Sequence, residues 1–123
     1  MSSPSFSIIC CFYNEINILQ KKFNKFFEFS SKLNFDHRFI FIDNNSIDGS
    51  KEFLKKEEKK KIKNFSFIFN DKNIGKGGSI KKGLLETDKE YAIIFDIDEY
   101  ELLDLKKINK IINVESFDFL VGS

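Results

Sequence analysis

The chain has 123 residues, of which 41% are hydrophobic and 32% are charged, and this balance predicts a single soluble globular domain over residues 1–123. Its 20 basic residues are matched by 19 acidic ones, so the net charge of +1 creates no field that attracts nucleic acid, and we expect no nucleic-acid partner. No apolar stretch approaches the roughly 18 residues of a membrane span and no signal-peptide pattern is present, so we expect no membrane span and a cytoplasmic location.

Hydrophobic periodicity predicts a strict alternation of strands and helices. Short apolar runs are typical of buried strands, and apolar positions three or four residues apart are typical of amphipathic helices. The predicted elements are strand 6–12, helix 15–32, strand 38–42, helix 51–61, strand 65–69, helix 79–85, strand 91–95, helix 103–112 and strand 117–121. Such alternation predicts an α/β fold with a doubly wound, mostly parallel sheet.

The first predicted strand is rich in Ile, Phe and Cys, and it ends at the polar segment 13–15. Asn14 is predicted to be the N-cap of the following helix. Cys10 and Cys11 are adjacent within the strand, where they cannot easily bond to each other. We therefore interpret them as free thiols of a protein in a reducing compartment.

Polar clusters follow four of the predicted strands, in segments 13–15, 43–46, 71–78 and 96–98. Because the carboxyl ends of parallel strands meet at one edge of a sheet, these clusters are expected to lie together there. Ligands of doubly wound sheets bind beyond that edge, where the strand order reverses. The sequence therefore predicts a ligand site at the carboxyl edge.

Two acids of the last cluster, Asp96 and Asp98, are separated by a single residue. At about 5 Å two such charges repel by about 3 kcal/mol in an effective dielectric near 20, unless a cation lies between them. A divalent metal is the simplest candidate, and a solvated loop in which the two acids point apart is the alternative reading.

The first two polar segments resemble signatures of the family 2 glycosyltransferases. Residues 7–15 resemble the opening strand of that family, which usually ends in Pro-x-Tyr-Asn-Glu, and Cys11 stands in the proline position. Residues 41–50 resemble the second signature, hydrophobic-Asp-Asp-Gly-Ser-x-Asp-Gly-Thr, from which Asn44 and Asn45 depart.

The other two segments continue this resemblance in the same order. Residues 73–77, followed by Lys82-Gly83-Leu84, resemble the third signature, and residues 96–98 resemble the fourth. The resemblance covers nearly the whole chain and implies a Rossmann-like three-layer sandwich of the GT-A type, which binds nucleotide sugars.

Within that family the chain is most similar to the polyprenyl-phosphate sugar synthases. Gly-Lys-Gly before a helix is typical of them, as is Asp-x-Asp followed by Glu-Tyr-acid, which residues 99–101 match with one deletion after Asp98. Such families usually continue with the acceptor-binding half, so the resemblance implies the donor half of a longer enzyme, with any catalytic base beyond Ser123. Membrane association of the full-length enzyme is left open.

The resemblance also implies roles for individual residues. Asp98 would coordinate Mg²⁺ or Mn²⁺ on the donor diphosphate, and Asp96 would bind the ribose or share the metal. Hard oxygen ligands suit these ions, which take up the charge of the departing diphosphate. The implied substrate-binding residues are Cys11, Tyr13, Glu15, Asp43, Asn45, Gly75, Lys76 and Asp96.

Several of these residues have both a binding and a purely structural interpretation. Asp43 would accept a hydrogen bond from the base, or it caps the following helix, as Asp commonly does. Tyr13 would pack on the ring of the base, or it belongs to the core, and Glu15 would lie at the rim. Gly75 allows a close backbone approach and Lys76 offers a charge to phosphate, but ordinary turns also use glycine.

The function expected from these features is transfer of a hexose from a UDP- or GDP-sugar to an acceptor, for which a polyprenyl phosphate is one candidate. A non-catalytic nucleotide-binding fragment that lacks the acceptor half is the alternative. A phosphatase is disfavoured because its Asp-x-Asp should follow the first strand, and a nucleotidyltransferase because the first strand lacks a Gly-rich phosphate loop.

Overall fold

The computed structural model describes residues 4–96 and 111–113. Within these residues, no helix combines the length and the hydropathy that crossing a bilayer requires. The described elements are β1 (Phe6–Phe12), α1 (Ile16–Lys32), β2 (His37–Asp43), α2 (Ser50–Lys59), β3 (Phe65–Phe69), α3 (Gly75–Glu86), β4 (Tyr91–Phe95) and β5 (Ile111–Asn113).

The strands form one sheet in the order β3-β2-β1-β4-β5. β1 pairs in parallel with β2 on one side and with β4 on the other, and β3 extends the sheet in parallel beyond β2. The short β5 runs antiparallel to β4. The chain therefore winds outward from β1 to β3 and then returns to the opposite side of β1, which makes β1 and β4 flank the point where strand order reverses.

Successive side chains of a strand point to opposite faces of a sheet, and here each face has its own kind of core. α1 and α2 cover a face that is dominated by phenylalanine, with Phe23 and Phe26 of α1 packed against Phe39 and Phe41 of β2. The many phenylalanines of the sequence are thus largely accounted for by one layer of the core.

The opposite face is aliphatic and is covered by α3. Ile9, Ile40 and Ile42 of the sheet form its buried cluster together with Leu84 of α3 and Ala92 of β4. Helices on both faces of a mostly parallel sheet make the three-layer α/β sandwich that the sequence predicted, so the predicted fold class is confirmed.

Two predictions about the elements are wrong, and the other predicted bounds of the described elements agree with the structure to within two residues. α3 begins at Gly75 and not at residue 79, so the glycines of segment 75–78 form its first turn and not a free loop. Ile111 and Ile112 belong to the antiparallel β5, although the sequence predicted the end of a helix there. The rest of that helix, the predicted strand 117–121 and Asp98 lie outside the described residues.

Candidate functional site

A cavity of about 310 Å³ lies beyond the carboxyl ends of β1 and β4, at the reversal of strand order. This is the position at which doubly wound sheets bind their ligands. Six of the predicted binding residues line it, namely Cys11, Tyr13, Glu15, Gly75, Lys76 and Asp96. Asn44, Asn73 and Ser79 also contribute to its wall.

A second cavity of about 450 Å³ adjoins the first along the N-terminus of α1. Glu15, Lys76 and Asp96 line both cavities, so these three charged side chains stand at their common border. The two spaces together form a cleft along the edge of the sheet, with its charges at the centre.

The turn after β1 is held by the turn after β2. Asn14 has a left-handed backbone, with φ of +53°, and its Oδ1 accepts a hydrogen bond from the N–H of Ile47 at 2.9 Å. Its own N–H donates to Ser46 Oγ at 2.9 Å. Asn14 therefore links two turns, and its predicted role as N-cap of α1 is wrong, because Glu15 occupies that position.

The N-terminus of α1 is capped from a distant segment. The N–H of Ile16 donates to Asp48 Oδ2 at 3.0 Å, and the N–H of Glu15 donates to Ser50 Oγ at 2.9 Å. Asp48 Oδ1 also accepts from the N–H of Ser50 at 2.9 Å. The signature segment 41–50 thus fixes the entry to α1 as well as the entry to α2.

Asp43 ends β2 and is fully buried. Its Oδ2 accepts the N–H of Ser46 at 3.0 Å, so it stabilises the turn after β2 and does not cap α2, whose N-cap is Gly49. Oδ1 is buried without a hydrogen-bond partner among the described residues, which is unusual for a carboxylate oxygen. The lining of the cavity includes Asn44 but not Asp43.

Asn45 also lies outside the lining of the cavity. Its backbone is left-handed, with φ of +62°, and its Oδ1 accepts a hydrogen bond from Lys51 Nζ at 2.6 Å. The side chain of Asn45 is therefore engaged with the first turn of α2.

Lys76 and Asp96 form an ion pair across the cleft. Lys76 Nζ lies 2.8 Å from Asp96 Oδ1 and 3.0 Å from Oδ2, so the ammonium contacts both carboxylate oxygens. The pair connects the first turn of α3 with the end of β4. The pair therefore brings Lys76, which is predicted to bind phosphate, next to Asp96, which is predicted to bind the ribose or a metal ion.

Cys11 lines the cavity as a neutral thiol. Its pKa is raised to about 12, mainly by burial; the charge of Lys76 opposes this rise, and the charges of Asp96 and Glu15 add to it. Such a thiol is not ionised near neutral pH and is a poor nucleophile. Cys11 therefore provides an apolar contact surface at the floor of the cavity, next to Tyr13, which is 44% exposed.

The described residues supply one acid of the predicted metal pair. Among residues 4–96 and 111–113 there is no group of three His, Cys, Asp or Glu side chains that could hold a metal ion. Mg²⁺ in nucleotide sites is usually bound by one or two carboxylates together with phosphates of the substrate. Asp96 fits such a site when the donor supplies further ligands and Lys76 moves off its carboxylate.

Four residues of the cavity wall were not predicted as binding residues, namely Phe12, Asn44, Asn73 and Ser79. The sequence marks Asn44 only as a departure from the acid of the family signature, and Asn73 only as the start of the third signature. Their mutual contact joins two segments 29 residues apart and has no local sequence signal.

The comparison to known families identifies the family of the chain. Residues 7–122 match Glycosyl transferase family 2, and the chain belongs to this family. The resemblance noted from the four polar segments is thereby confirmed at the level of the family.

A curated relative is the cholesterol galactosyltransferase of Borreliella burgdorferi. The two sequences are 37% identical over 95 residues, which is 76% of this chain and 25% of the relative. The chain thus spans a quarter of the length of that protein. The name of this relative lends no support to the predicted closeness to polyprenyl-phosphate sugar synthases.

Solved structures confirm the GT-A type of fold. The mannosyltransferase PcManGT from Pyrobaculum calidifontis, in complex with GDP-Man and Mn²⁺, has a TM-score of 0.63 at 18% identity, with 79% of this chain and 30% of that chain covered. S. aureus TarS 1-349 in complex with UDP-GlcNAc has a TM-score of 0.60 at 21% identity, with 76% and 26% covered. The same TarS fragment has also been solved in complex with UDP.

Proposed function

We propose that residues 1–123 are a single nucleotide-sugar-binding domain, the donor half of a glycosyltransferase. The observation that carries this proposal is the cleft at the strand-order reversal, in which Lys76 and Asp96 face each other at 2.8 Å. A diphosphate needs a cation, and an ammonium on the first turn of a helix is suited to bind one, because the N–H groups there also point toward the ligand.

The donor would lie with its diphosphate near Lys76 and the backbone of Gly75. Tyr13 would pack on the base, Cys11 would form the floor, and Glu15 would stand at the rim. Asp43 and Asn45 lie outside the cavity wall, so their contribution would be to shape the turn that carries Asn44. The neighbour structures with GDP-Man, UDP and UDP-GlcNAc support a UDP- or GDP-sugar as donor.

A divalent ion, Mg²⁺ or Mn²⁺, would be held by Asp96 and Asp98 together with the donor phosphates. The Mn²⁺ in the PcManGT complex supports this choice of ion. When bound, the ion would neutralise the charge that develops on the departing nucleotide diphosphate. Lys76 would then exchange its contact with Asp96 for one with a phosphate oxygen, which keeps both charges paired.

The complete enzyme would move a hexose to a lipid acceptor. The name of the curated relative favours galactose as the sugar and a sterol hydroxyl as the acceptor. A polyprenyl phosphate is the alternative acceptor, which the Gly-Lys-Gly segment at 75–77 suggests. The free thiols Cys10 and Cys11 are consistent with action on the cytoplasmic side of a membrane.

A second candidate function is nucleotide binding without catalysis by these residues alone. It is favoured by the observation that the chain spans 25% of its curated relative, so most of that protein has no counterpart here. This candidate predicts donor binding with neither sugar transfer nor donor hydrolysis. Release of UDP or GDP from a nucleotide sugar by the 123-residue chain would reject it.

Calorimetric titration of the chain with UDP and with GDP, each with and without Mn²⁺, tests the donor site. We expect one of the two to bind, more tightly with Mn²⁺, and Lys76→Gln to weaken binding about tenfold or more because a charge-assisted hydrogen bond is lost. Lys81→Gln is the matched control, since Lys81 is also exposed on α3 but does not line the cleft.

A folded chain that binds neither nucleotide has no donor site. Binding that is the same in Lys76→Gln and in the wild type would place the nucleotide elsewhere on the molecule.

A further inference from the structure

Asn44 lies at the base of the cleft and is 5% exposed. Its backbone N–H donates to the carbonyl oxygen of Phe12 at 2.9 Å, which fixes it to the end of β1 directly after β2 ends. Its carboxamide is therefore presented from a rigid position between two strands.

This carboxamide holds both ends of the segment that leads into α3. Asn44 Oδ1 accepts from Asn70 Nδ2 at 3.0 Å and from the N–H of Ile74, the N-cap residue of α3, at 2.9 Å. Asn44 Nδ2 donates to Asn73 Oδ1 at 2.8 Å, and the same oxygen accepts the N–H of Gly75 at 2.9 Å. One side chain thus contacts Asn70 at the start of this segment and Ile74 directly before the first turn of α3.

The orientation of these amides is dictated by the groups around them. The N–H groups of Ile74 and Gly75 can only donate, so the atoms that face them must be oxygens. The nitrogen of Asn44 then has to face the oxygen of Asn73. A carboxylate in place of Asn44 would set two acceptors against each other, so an amide is required where the family signature usually has an acid.

Lys76 follows this fixed turn directly. Gly75 has φ of +80°, a conformation that glycine adopts without strain, and Lys76 projects from the next position toward Asp96. The lysine side chain is 58% exposed and starts from the first turn of α3, so a shift of that turn would move its ammonium relative to Asp96.

We propose that Asn44 is a positioning residue for the donor diphosphate. Its carboxamide sets the first turn of α3 and thereby places Lys76 opposite Asp96. This inference rests on the proposed function, because the positioned lysine is the group assigned to the phosphates.

The primary test needs no donor, so it is independent of whether the proposed function is correct. The rate of acetylation of Lys76 is measured by mass spectrometry with a water-soluble acylating reagent, with Lys81 as internal reference. Asn44→Asp should release Lys76 from Asp96 and raise its labelling rate about two- to fivefold, the range expected for loss of an exposed ion pair, while Lys81 is unchanged.

Asn73→Asp is the matched control. It adds the same charge to the same network, but a carboxylate at position 73 still accepts from both Asn44 Nδ2 and the N–H of Gly75, so the labelling rate of Lys76 should not rise. Equal increases in Asn44→Asp and Asn73→Asp would show an effect of charge alone and overturn the proposal. Unchanged labelling in Asn44→Asp would overturn it as well.

If Asn44→Asp does not fold, as judged by circular dichroism, Asn44→Ala replaces it, because it removes the same contacts without adding charge. The same increase in Lys76 labelling is expected, and its absence contradicts the proposal.

A double-mutant cycle then connects the position of Lys76 to binding. With the nucleoside diphosphate that binds the wild type, Asn44→Ala should weaken binding in the wild-type background but cause no further loss in a Lys76→Gln background, because residues that act through one another are not additive. Equal losses in both backgrounds would mean that Asn44 acts on the ligand or on folding independently of Lys76. Absence of binding by the wild type would instead refute the proposed function, and the labelling result would still decide the role of Asn44.

Discussion

Asp48 shows how one exposed carboxylate can stabilise two helices. Burial by itself would raise its pKa, but hydrogen bonds from the hydroxyl of Ser50 and from the N–H groups of Ile16 and Ser50 outweigh this and lower the pKa below its ordinary value. A carboxylate near helix N-termini also interacts favourably with the helix dipoles. The contacts in the folded chain therefore stabilise the ionised form of Asp48 over its protonated form.

The sign of the pH dependence follows from this lowered pKa. The stabilisation by Asp48 is fully present above the ordinary carboxyl pKa of about 3.9 and is lost as the pH falls through the lower pKa of the folded state. We expect Asp48→Asn to lower the free energy of unfolding at pH 7 by about 0.5–1 kcal/mol, the low end for a capping residue because the side chain is exposed. The difference from the wild type should shrink below about pH 4.

Urea denaturation of both proteins at several pH values from 7 to 3 measures this difference. Asp71→Asn provides a control, because Asp71 is also exposed, whereas the N–H groups of Ile16 and Ser50 donate to Asp48. A destabilisation by Asp48→Asn that stayed constant over the whole range would mean that the ionised form has no special role.

At the scale of single residues, the sequence was sufficient to predict the charged residues of the site but not the uncharged Asn44, which contacts the segment before α3. Lys76 and Asp96 could be predicted because each belongs to a segment that resembles a family signature. Lys76 lies in the first turn of α3, and Asp96 directly follows β4. Asn44 could not be predicted, because its partners come from segment 70–75 and the value of an amide there depends on which backbone N–H groups face it.

Helix α3 is the element whose glycines have the most unequal surroundings. A Cβ added to Gly83 would lie 2.8 Å from Ile9 Cγ2 and 3.0 Å from Ile42 Cδ1, so this glycine lets the helix approach the sheet closely. A Cβ added to Gly77, in the first turn, would meet nothing within 4 Å. The two positions therefore separate the packing effect of an added methyl group from its effect on helix propensity.

We expect Gly83→Ala to lower the free energy of unfolding by about 1–3 kcal/mol, because the added methyl group overpacks the aliphatic face of the core. Gly77→Ala should instead be neutral or raise it by up to about 1 kcal/mol, since alanine favours the helix. Urea denaturation of the wild type and of both variants measures these changes. The dependence of the unfolding free energy on urea concentration should be the same for all three proteins. Stabilisation by Gly83→Ala would show that α3 can move away from the sheet at little cost.

The start of α3 also explains a sequence-based error. Glycine is a poor helix former, so the sequence predicts a loop over residues 75–78. The hydrogen bonds that Asn44 and Asn73 provide to the N–H groups of Ile74 and Gly75 extend the helix to Gly75. These contacts are tertiary, and local propensity cannot reveal them.

At the scale of the whole molecule, the alternation of elements was sufficient to predict the sheet. Strands 6–12, 65–69 and 91–95 were predicted with the bounds that the structure has, because each is a short apolar run between polar segments. The antiparallel β5 was missed because Ile111 and Ile112 also fit a helical pattern, and pairing with β4 decides between the two. The division of the core into an aromatic and an aliphatic face follows from alternation along β1 and β2 once their parallel pairing is known.

β1 is the strand on which this architecture depends, since β2 and β4 pair with it on either side and helices cover both of its faces. Cys10 lies in its middle and is fully buried in the phenylalanine face. Burial raises the pKa of its thiol well above the ordinary value, so the folded chain should not react with thiol reagents at this position.

The Cys11→Ser variant makes Cys10 the sole thiol and tests whether the chain unfolds as one cooperative unit. If it does, the free energy of opening obtained from the labelling rate of Cys10 should equal the free energy of unfolding from urea for the same variant, within about 0.5 kcal/mol. An opening free energy lower by more than about 1 kcal/mol would mean that β1 is exposed by a partial opening and that the chain does not unfold as one cooperative unit. In the wild type, Cys11 should give an additional faster phase, because it lies half-buried in the wall of the cleft. A bound nucleotide should slow this phase by covering Cys11, and it should slow the labelling of Cys10 by stabilising the folded chain.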